Sequence, residues 1–180
     1  MLCLFRLDDP LTEVIAGYDP DLPLKLMSKM GINNTNLERD NDGAPIWPKG
    51  LSGSISNIKK KAKFTAVSIS RELRSLGIDI ELLSRAETTF RCRSMFLKES
   101  ISVTPQESLL CFSAKEALYK AVYPIIKKRF WFSAVTVSEI SSDAIFLEPG
   151  DFLVSHGFSE PFRVEYRLLD EICFAMMKIA

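Results

Sequence analysis

Along this chain the spacing of apolar residues switches from every second position to helical spacing and back again, and that switch limits the folds open to it. Phe64 to Ser70 places Thr65, Val67 and Ile69 on one side, and Leu76 to Leu82 repeats the pattern with Leu76, Ile78 and Ile80. Such alternation belongs to strands whose two faces meet different surroundings. Arg71 to Ser75 is short enough to turn the two strands into a hairpin. Ser52 to Ser56 reads as a further short strand. Later in the chain Leu118, Ala121, Val122 and Ile125 form a stripe at helical spacing. Ser113 reads as the N-cap of that helix, which runs toward Phe130 and should be bent or interrupted at Pro124. Arg85 to Lys98 also reads as helical, and Pro105 suits the start of a short helix between the two. Alternation then returns in residues 134–140, 144–147, 162–168 and 172–179, with Asp170-Glu171 as a turn between the last two. Strands, helix, strands, in that order, predict an α+β fold rather than a doubly wound parallel sheet.

The first forty residues carry weaker signals. Leu24 to Met30 reads as a short amphipathic helix stopped by Gly31. Asn33 to Asn36 and Arg39 to Gly43 read as turns, and Pro45, Pro48 and Gly50 around Trp47 imply an extended, pinned segment. The 180 residues fit one domain, or two small lobes sharing an interface. With 47% hydrophobic residues and few Pro and Gly, the chain has the material for an ordered core. Lys plus Arg and Asp plus Glu both number 23, so the basic footprint of general nucleic-acid binding is missing. Cys3, Cys92, Cys111 and Cys173 form no CxxC pair, which fits neither a zinc site nor a disulfide scaffold. They read as reduced, mostly buried thiols. No leader-like start and no bilayer-length apolar run is apparent. The expectation is a soluble cytoplasmic protein with no membrane contact.

Two segments carry chemistry. In Gly77-Ile78-Asp79-Ile80-Glu81 the two acids share one face of a strand, with Cα atoms roughly 6–7 Å apart. Like charges this close repel, and a cation relieves the repulsion. Magnesium favours a few carboxylates together with water and phosphate oxygens. The same pentapeptide also suits an edge strand with a solvated face. In Phe112-Ser113-Ala114-Lys115-Glu116-Ala117-Leu118-Tyr119-Lys120-Ala121, Glu116 and Lys120 are i,i+4 neighbours. Glu116 suits a metal shell or a base acting through water, and Lys120 suits a phosphate. A capping box from Ser113 to Glu116 and a surface ion pair explain the same residues without chemistry. Trp131, between Phe130 and Phe132, reads as core rather than as a ligand platform, and His156 as a surface side chain.

Gly43-Ala44-Pro45-Ile46-Trp47-Pro48, Gly53-Ser54-Ile55-Ser56-Asn57, the Gly77–Glu81 segment and the Phe112–Pro124 segment occur in one order. Together they resemble the 4′-phosphopantetheinyl transferase superfamily, in the EntD-like branch that serves siderophore and nonribosomal peptide synthetases. The resemblance implies a fold of two similar lobes, about 1–75 and 76–180, with the cofactor cleft between them. It implies a monomer that moves the phosphopantetheine arm of coenzyme A to a serine of an acyl, peptidyl or aryl carrier protein. Adenosine 3′,5′-bisphosphate is the other product. By the same resemblance Asp79, Glu81 and Glu116 would bind Mg²⁺, Glu116 and Lys120 would be catalytic, and Ala44, Pro45, Ser56, Asn57, Lys115 and Lys120 would meet coenzyme A. Two positions depart from the family pattern. Asn57 stands where the family has histidine, and Ile15-Ala16-Gly17-Tyr18 lacks the arginine of a Gly-Arg pair. Lys49, Lys59, Lys60, Lys61 and Lys63 read first as a solvated basic loop, with a compensating phosphate site or the steering of an acidic carrier as alternatives. The alternatives are a paralogue that binds carrier protein or coenzyme A without transfer, and an unrelated Mg²⁺-dependent phosphohydrolase.

Overall fold

In the computed structural model, residues 2–5, 12–33, 36–59, 63–98 and 101–180 are described. Lys60 and Lys61 of the basic loop lie outside them, and of Cys3, Lys59 and Lys63 only the strand backbone is described. The protein has two antiparallel sheets. The first contains β1 (Leu2–Phe5), β2 (Thr12–Gly17), β3 (Ser52–Lys59) and β4 (Lys63–Ser70), in the order β1-β2-β4-β3. The second contains β5 (Ser75–Leu82), β6 (Val135–Ile140), β7 (Ala144–Pro149), β8 (Phe162–Leu169) and β9 (Ile172–Ile179), in the order β5-β9-β8-β7-β6. Helix α1 (Leu22–Lys29) packs on the first sheet, with Leu22, Leu26 and Met27 against Ile15, Val67 and Ile69. A short helix α2 (Ala86–Arg91) precedes the long helix α3 (Pro105–Ile126), and a single turn, α4 (Asp151–Val154), follows β7. This is the α+β class that the switch in apolar spacing predicts.

Alternation decides which side chain enters which core. In β4, Phe64 and Ala66 join an apolar cluster that bridges the two sheets, whereas Val67 and Ile69 face α1. In β5, Leu76, Ile78, Ile80 and Leu82 join the bridging cluster, with Phe174 and Met176 of β9. The other face of β5 is left for Gly77, Asp79 and Glu81, and α3 covers it. Leu109, Ala114, Leu118 and Val122 of α3 pack on Val164, Cys173 and Ala175.

Several expectations need correction. The strands around Arg71–Ser75 are not a hairpin: β4 pairs with β2 and β3, and β5 pairs with β9. The Ser70 hydroxyl accepts the Glu72 and Leu73 N–H groups, and the chain turns out of the first sheet there. Ser113 is not an N-cap. The helix begins eight residues earlier, with Thr104 and Glu107 forming a reciprocal capping box behind Pro105. It ends at Ile126 rather than near Phe130, with Lys127 in the left-handed region, and Pro124 is tolerated in its last turn. Arg85–Lys98 is not one helix but α2 flanked by two 3₁₀ turns. Strand β2 carried no legible signal, being buried on both faces at four consecutive positions. Cys111 and Cys173 are buried, but Cys92 is exposed. The turn at Asp170 is present, its backbone at positive φ.

Candidate active site

The site begins with a glycine. A Cβ on Gly77 would lie 2.0 Å from the Ala117 carbonyl oxygen and 2.5 Å from the Ala121 nitrogen. Only the absence of a side chain lets α3 lie directly on β5. Beside this crossing the Ser75 hydroxyl donates to the Ala121 carbonyl at 2.6 Å. Helix and strand run antiparallel, so the next inward residue of β5, Asp79, comes under Ser113 and Lys120.

Asp79 is 5% exposed, so the open, solvated strand face is not what forms here. Its Oδ1 accepts from the Ser56 hydroxyl at 2.9 Å and from Lys120 Nζ at 2.7 Å. Its Oδ2 accepts from the Ser113 hydroxyl at 2.9 Å. Three side chains from two elements, β3 and α3, therefore hold one carboxylate, and a buried charge needs that many partners. Ser56 has a second task. Its oxygen accepts the Ile80 N–H at 3.2 Å, as Ser54 accepts the Ile78 N–H at 3.0 Å. Two strand-edge donors of β5 thus find partners on β3, and these serines join the two sheets. The Ser-Ile-Ser motif is structural as well as adjacent to the site.

Glu81 and Glu116 complete the set. Burial pushes the Glu81 carboxyl up, the Asp79 charge adds to this, and Arg85, whose Nη1 donates to Glu81 Oε2 at 2.5 Å, opposes it. Glu116 is also raised, first by burial and then by the Asp79 charge, with Lys120 opposing and Glu81 reinforcing. The three acids thus sense one another across the strand and helix. Among the described residues no group of three His, Cys, Asp or Glu stands close enough to be a ready-made metal cage. The donor chemistry nevertheless fits a hard divalent cation: three oxygen acids repel, and the positive charge offsetting them comes from two side chains, Lys120 and Arg85.

Lys115 lies on the opposite flank of α3. It is 2% exposed, and its ammonium donates to the Phe96 and Val135 carbonyls at 2.8 and 3.0 Å. It forms part of the wall of a cleft of about 340 Å³ together with Glu116, Tyr119, Phe130, Phe132 and Asp42. Trp131 also lines this cleft and is 84% exposed, which overturns its reading as core. Proline-free, aromatic Phe130–Phe132 follows the end of α3 and folds back over it. Ala44 and Pro45 are half-buried in a tight hairpin in which the Asp40 carboxylate accepts the Ala44 N–H at 2.9 Å. Asn57, half-buried on β3, accepts from Thr65 Oγ1 at 2.8 Å. The sequence reading missed Ser113 as a partner of Asp79, and it missed Tyr123, whose hydroxyl reaches Asp42 and Asp40. A serine at mid-helix among apolar neighbours was the one available signal for the former.

The 4′-phosphopantetheinyl transferase superfamily profile matches residues 75–169, and the N-terminal domain profile of 4′-phosphopantetheinyl transferases matches residues 24–67. The chain is 30% identical over 118 residues to the 4′-phosphopantetheinyl transferase Npt of Nocardia iowensis, covering 62% of this chain and 52% of that protein. It is 38% identical over 85 residues to enterobactin synthase component D of Salmonella typhimurium, covering 43% of this chain and 34% of that protein. The chain therefore spans about half or less of the length of these relatives.

Proposed function

The chain belongs to the 4′-phosphopantetheinyl transferase superfamily, in its EntD-like branch, and from that premise we propose that it moves the phosphopantetheine arm of coenzyme A onto a serine of an apo carrier protein. The bond that forms joins the serine oxygen to the phosphorus bearing the arm. The bond that breaks is the bridging P–O bond of the pyrophosphate, and adenosine 3′,5′-bisphosphate leaves with its electron pair. Glu116 takes the serine proton, directly or through one water. Burial raises its affinity for protons, the direction that suits a general base. Lys120 moves its ammonium from Asp79 to the leaving phosphate as charge builds there. Asp79, Glu81 and Glu116 would hold Mg²⁺, which would supply positive charge against the pyrophosphate. The apolar cleft beside Glu116 receives the slender arm between Tyr119, Phe130 and Phe132.

The observation that carries the reading is the ion pair between α3 and β5, with Lys120 Nζ on Asp79 Oδ1 at 2.7 Å. It is tested by incubating the protein with Mg²⁺, coenzyme A and apo acyl, peptidyl and aryl carrier proteins and weighing the carriers. One phosphopantetheine is gained per carrier, and Asp79→Ala gains none while keeping its fold. A wild type that modifies no carrier at millimolar coenzyme A refutes the proposal. Phosphate release from nucleotides without a carrier would point instead to hydrolysis.

A further inference from the structure

Tyr123 lies two turns beyond Glu116 on the same side of α3, about 10 Å along the axis. Its phenol is buried, 4% exposed, and the hydroxyl reaches Asp42 Oδ2 at 2.6 Å and Asp40 Oδ2 at 3.1 Å. Both acids belong to one hairpin. There the Ile46 N–H donates to the Glu38 carbonyl at 2.8 Å, and Asp40 Oδ1 accepts the Asp42 and Ala44 N–H groups at 3.1 and 2.9 Å. The segment after α3 grips the same hairpin, with Arg129 on Asp42 at 2.6 Å and Lys127 on Asp40 at 3.4 Å. Asp42 and Arg129 also form one wall of the cleft beside Glu116, and Tyr119 of that wall stacks on Tyr123 with ring centroids 5.7 Å apart.

We propose that Tyr123 is a positioning residue: its hydroxyl clamps the 38–46 hairpin to the end of α3 and so holds the Asp42–Arg129 wall where the cleft's occupant meets it. That this occupant is the arm of coenzyme A rests on the transferase reading above. The physical argument is one of repulsion. A single phenolic proton bridges two carboxylates in one short hairpin. Removing it leaves two like charges facing each other, with only Arg129 and Lys127, both well exposed, to offset them. Tyr123 touches neither Glu116 nor the β5 acids in any hydrogen bond described, so its loss acts on binding rather than on the reacting groups.

The test compares wild type, Tyr123→Phe and the double variant Tyr123→Phe/Asp40→Asn. The double variant takes away one of the two charges that the lost phenolic proton leaves facing each other. Coenzyme A binding is measured by calorimetry in Mg²⁺, transfer kinetics are measured on an apo carrier protein, and hydrogen exchange is followed for residues 38–46. Tyr123→Phe is expected to raise the dissociation constant and KM for coenzyme A about 5- to 10-fold, equivalent to roughly 1–1.4 kcal/mol, and the added Asp40→Asn to bring both back to within about 2-fold of wild type. Saturating turnover stays within about 2-fold, and the Asp42 and Ala44 amides exchange faster, as a loosened local unit does. Unchanged coenzyme A affinity in Tyr123→Phe overturns the proposal, with or without faster exchange. So does faster exchange accompanied by an equal fall in turnover and no change in KM. A wild type that binds coenzyme A but transfers nothing refutes the transferase reading while the affinity comparison still decides on the clamp. A wild type that binds no coenzyme A removes both.

Discussion

Gly77→Ala is the sharpest probe of how fold and site are coupled. The added methyl would sit 2.0 Å from the Ala117 oxygen and 2.5 Å from the Ala121 nitrogen. Both are helix backbone atoms, so no side chain can rotate out of the way. Restoring ordinary contact at about 3.5 Å requires α3 to lift from β5 by about 1 Å or more. Overpacking of this kind costs about 1–3 kcal/mol, and stretching the Ser75–Ala121 bond adds to that. With a urea slope of about 1–3 kcal/mol/M, the unfolding midpoint should fall by about 1 M at unchanged slope. The same lift moves Glu116, Lys120 and Ser113 away from Asp79, and a 1 Å misplacement of reacting groups costs on the order of 100-fold in rate. Gly17→Ala is the control. There the new methyl meets only Leu22 Cδ1 at 3.8 Å, so the change should stay within about 0.5 kcal/mol. If Gly77→Ala unfolds with the wild type and turns over at its rate, the close crossing is not what holds the site.

Other tests follow from the charges and hydroxyls. Mg²⁺ at ten times its dissociation constant should stabilise the protein by about 1.4 kcal/mol and raise the melting temperature about 3–5 °C, an increase that Asp79→Asn abolishes. Without Mg²⁺, Glu116 carries a raised carboxyl, so the folded chain holds that proton more tightly than the unfolded one. Its contribution therefore turns unfavourable as pH rises from the ordinary glutamate range through the raised folded value. Glu116→Gln should be more stable than wild type in urea at pH 7, with the advantage disappearing near pH 4. Ser113→Ala leaves a buried oxygen of Asp79 without its donor. It should cost about 1–3 kcal/mol in chemical denaturation and weaken Mn²⁺ binding followed by electron paramagnetic resonance.

Legibility in the sequence followed the range of the interactions. The apolar spacing of β4, β5 and α3 is local, and it located the two strands to within a residue and the body of the helix, though not its start. The partner of β5 is not local. Strand β9 occupies the end of the chain, and nothing in Arg71–Ser75 announces that β5 abandons its neighbour for it. Ser113 misled for a related reason. A serine three residues before a glutamate matches a cap, and the true cap, Thr104 with Glu107, differs only in its position relative to the apolar stripe. The hydroxyl stays in mid-helix because Asp79, 34 residues earlier, needs it. Trp131 was misjudged because three consecutive aromatics say nothing about which one turns outward. The short motifs were legible as a set because chemistry constrains residue type. Tyr123 and its hairpin were not, since a tyrosine in a helix has many ordinary uses.

The pairing of Gly77 with Met177 also sets an order of events during synthesis. The two acids of β5 emerge early, yet the strand that braces them is made only after β6, β7 and β8. A nascent chain holding everything up to β8 has the residues for its chemistry on an unpaired edge. Competence is therefore withheld until β9 arrives, and unpairing that strand would silence the molecule without touching a reacting group.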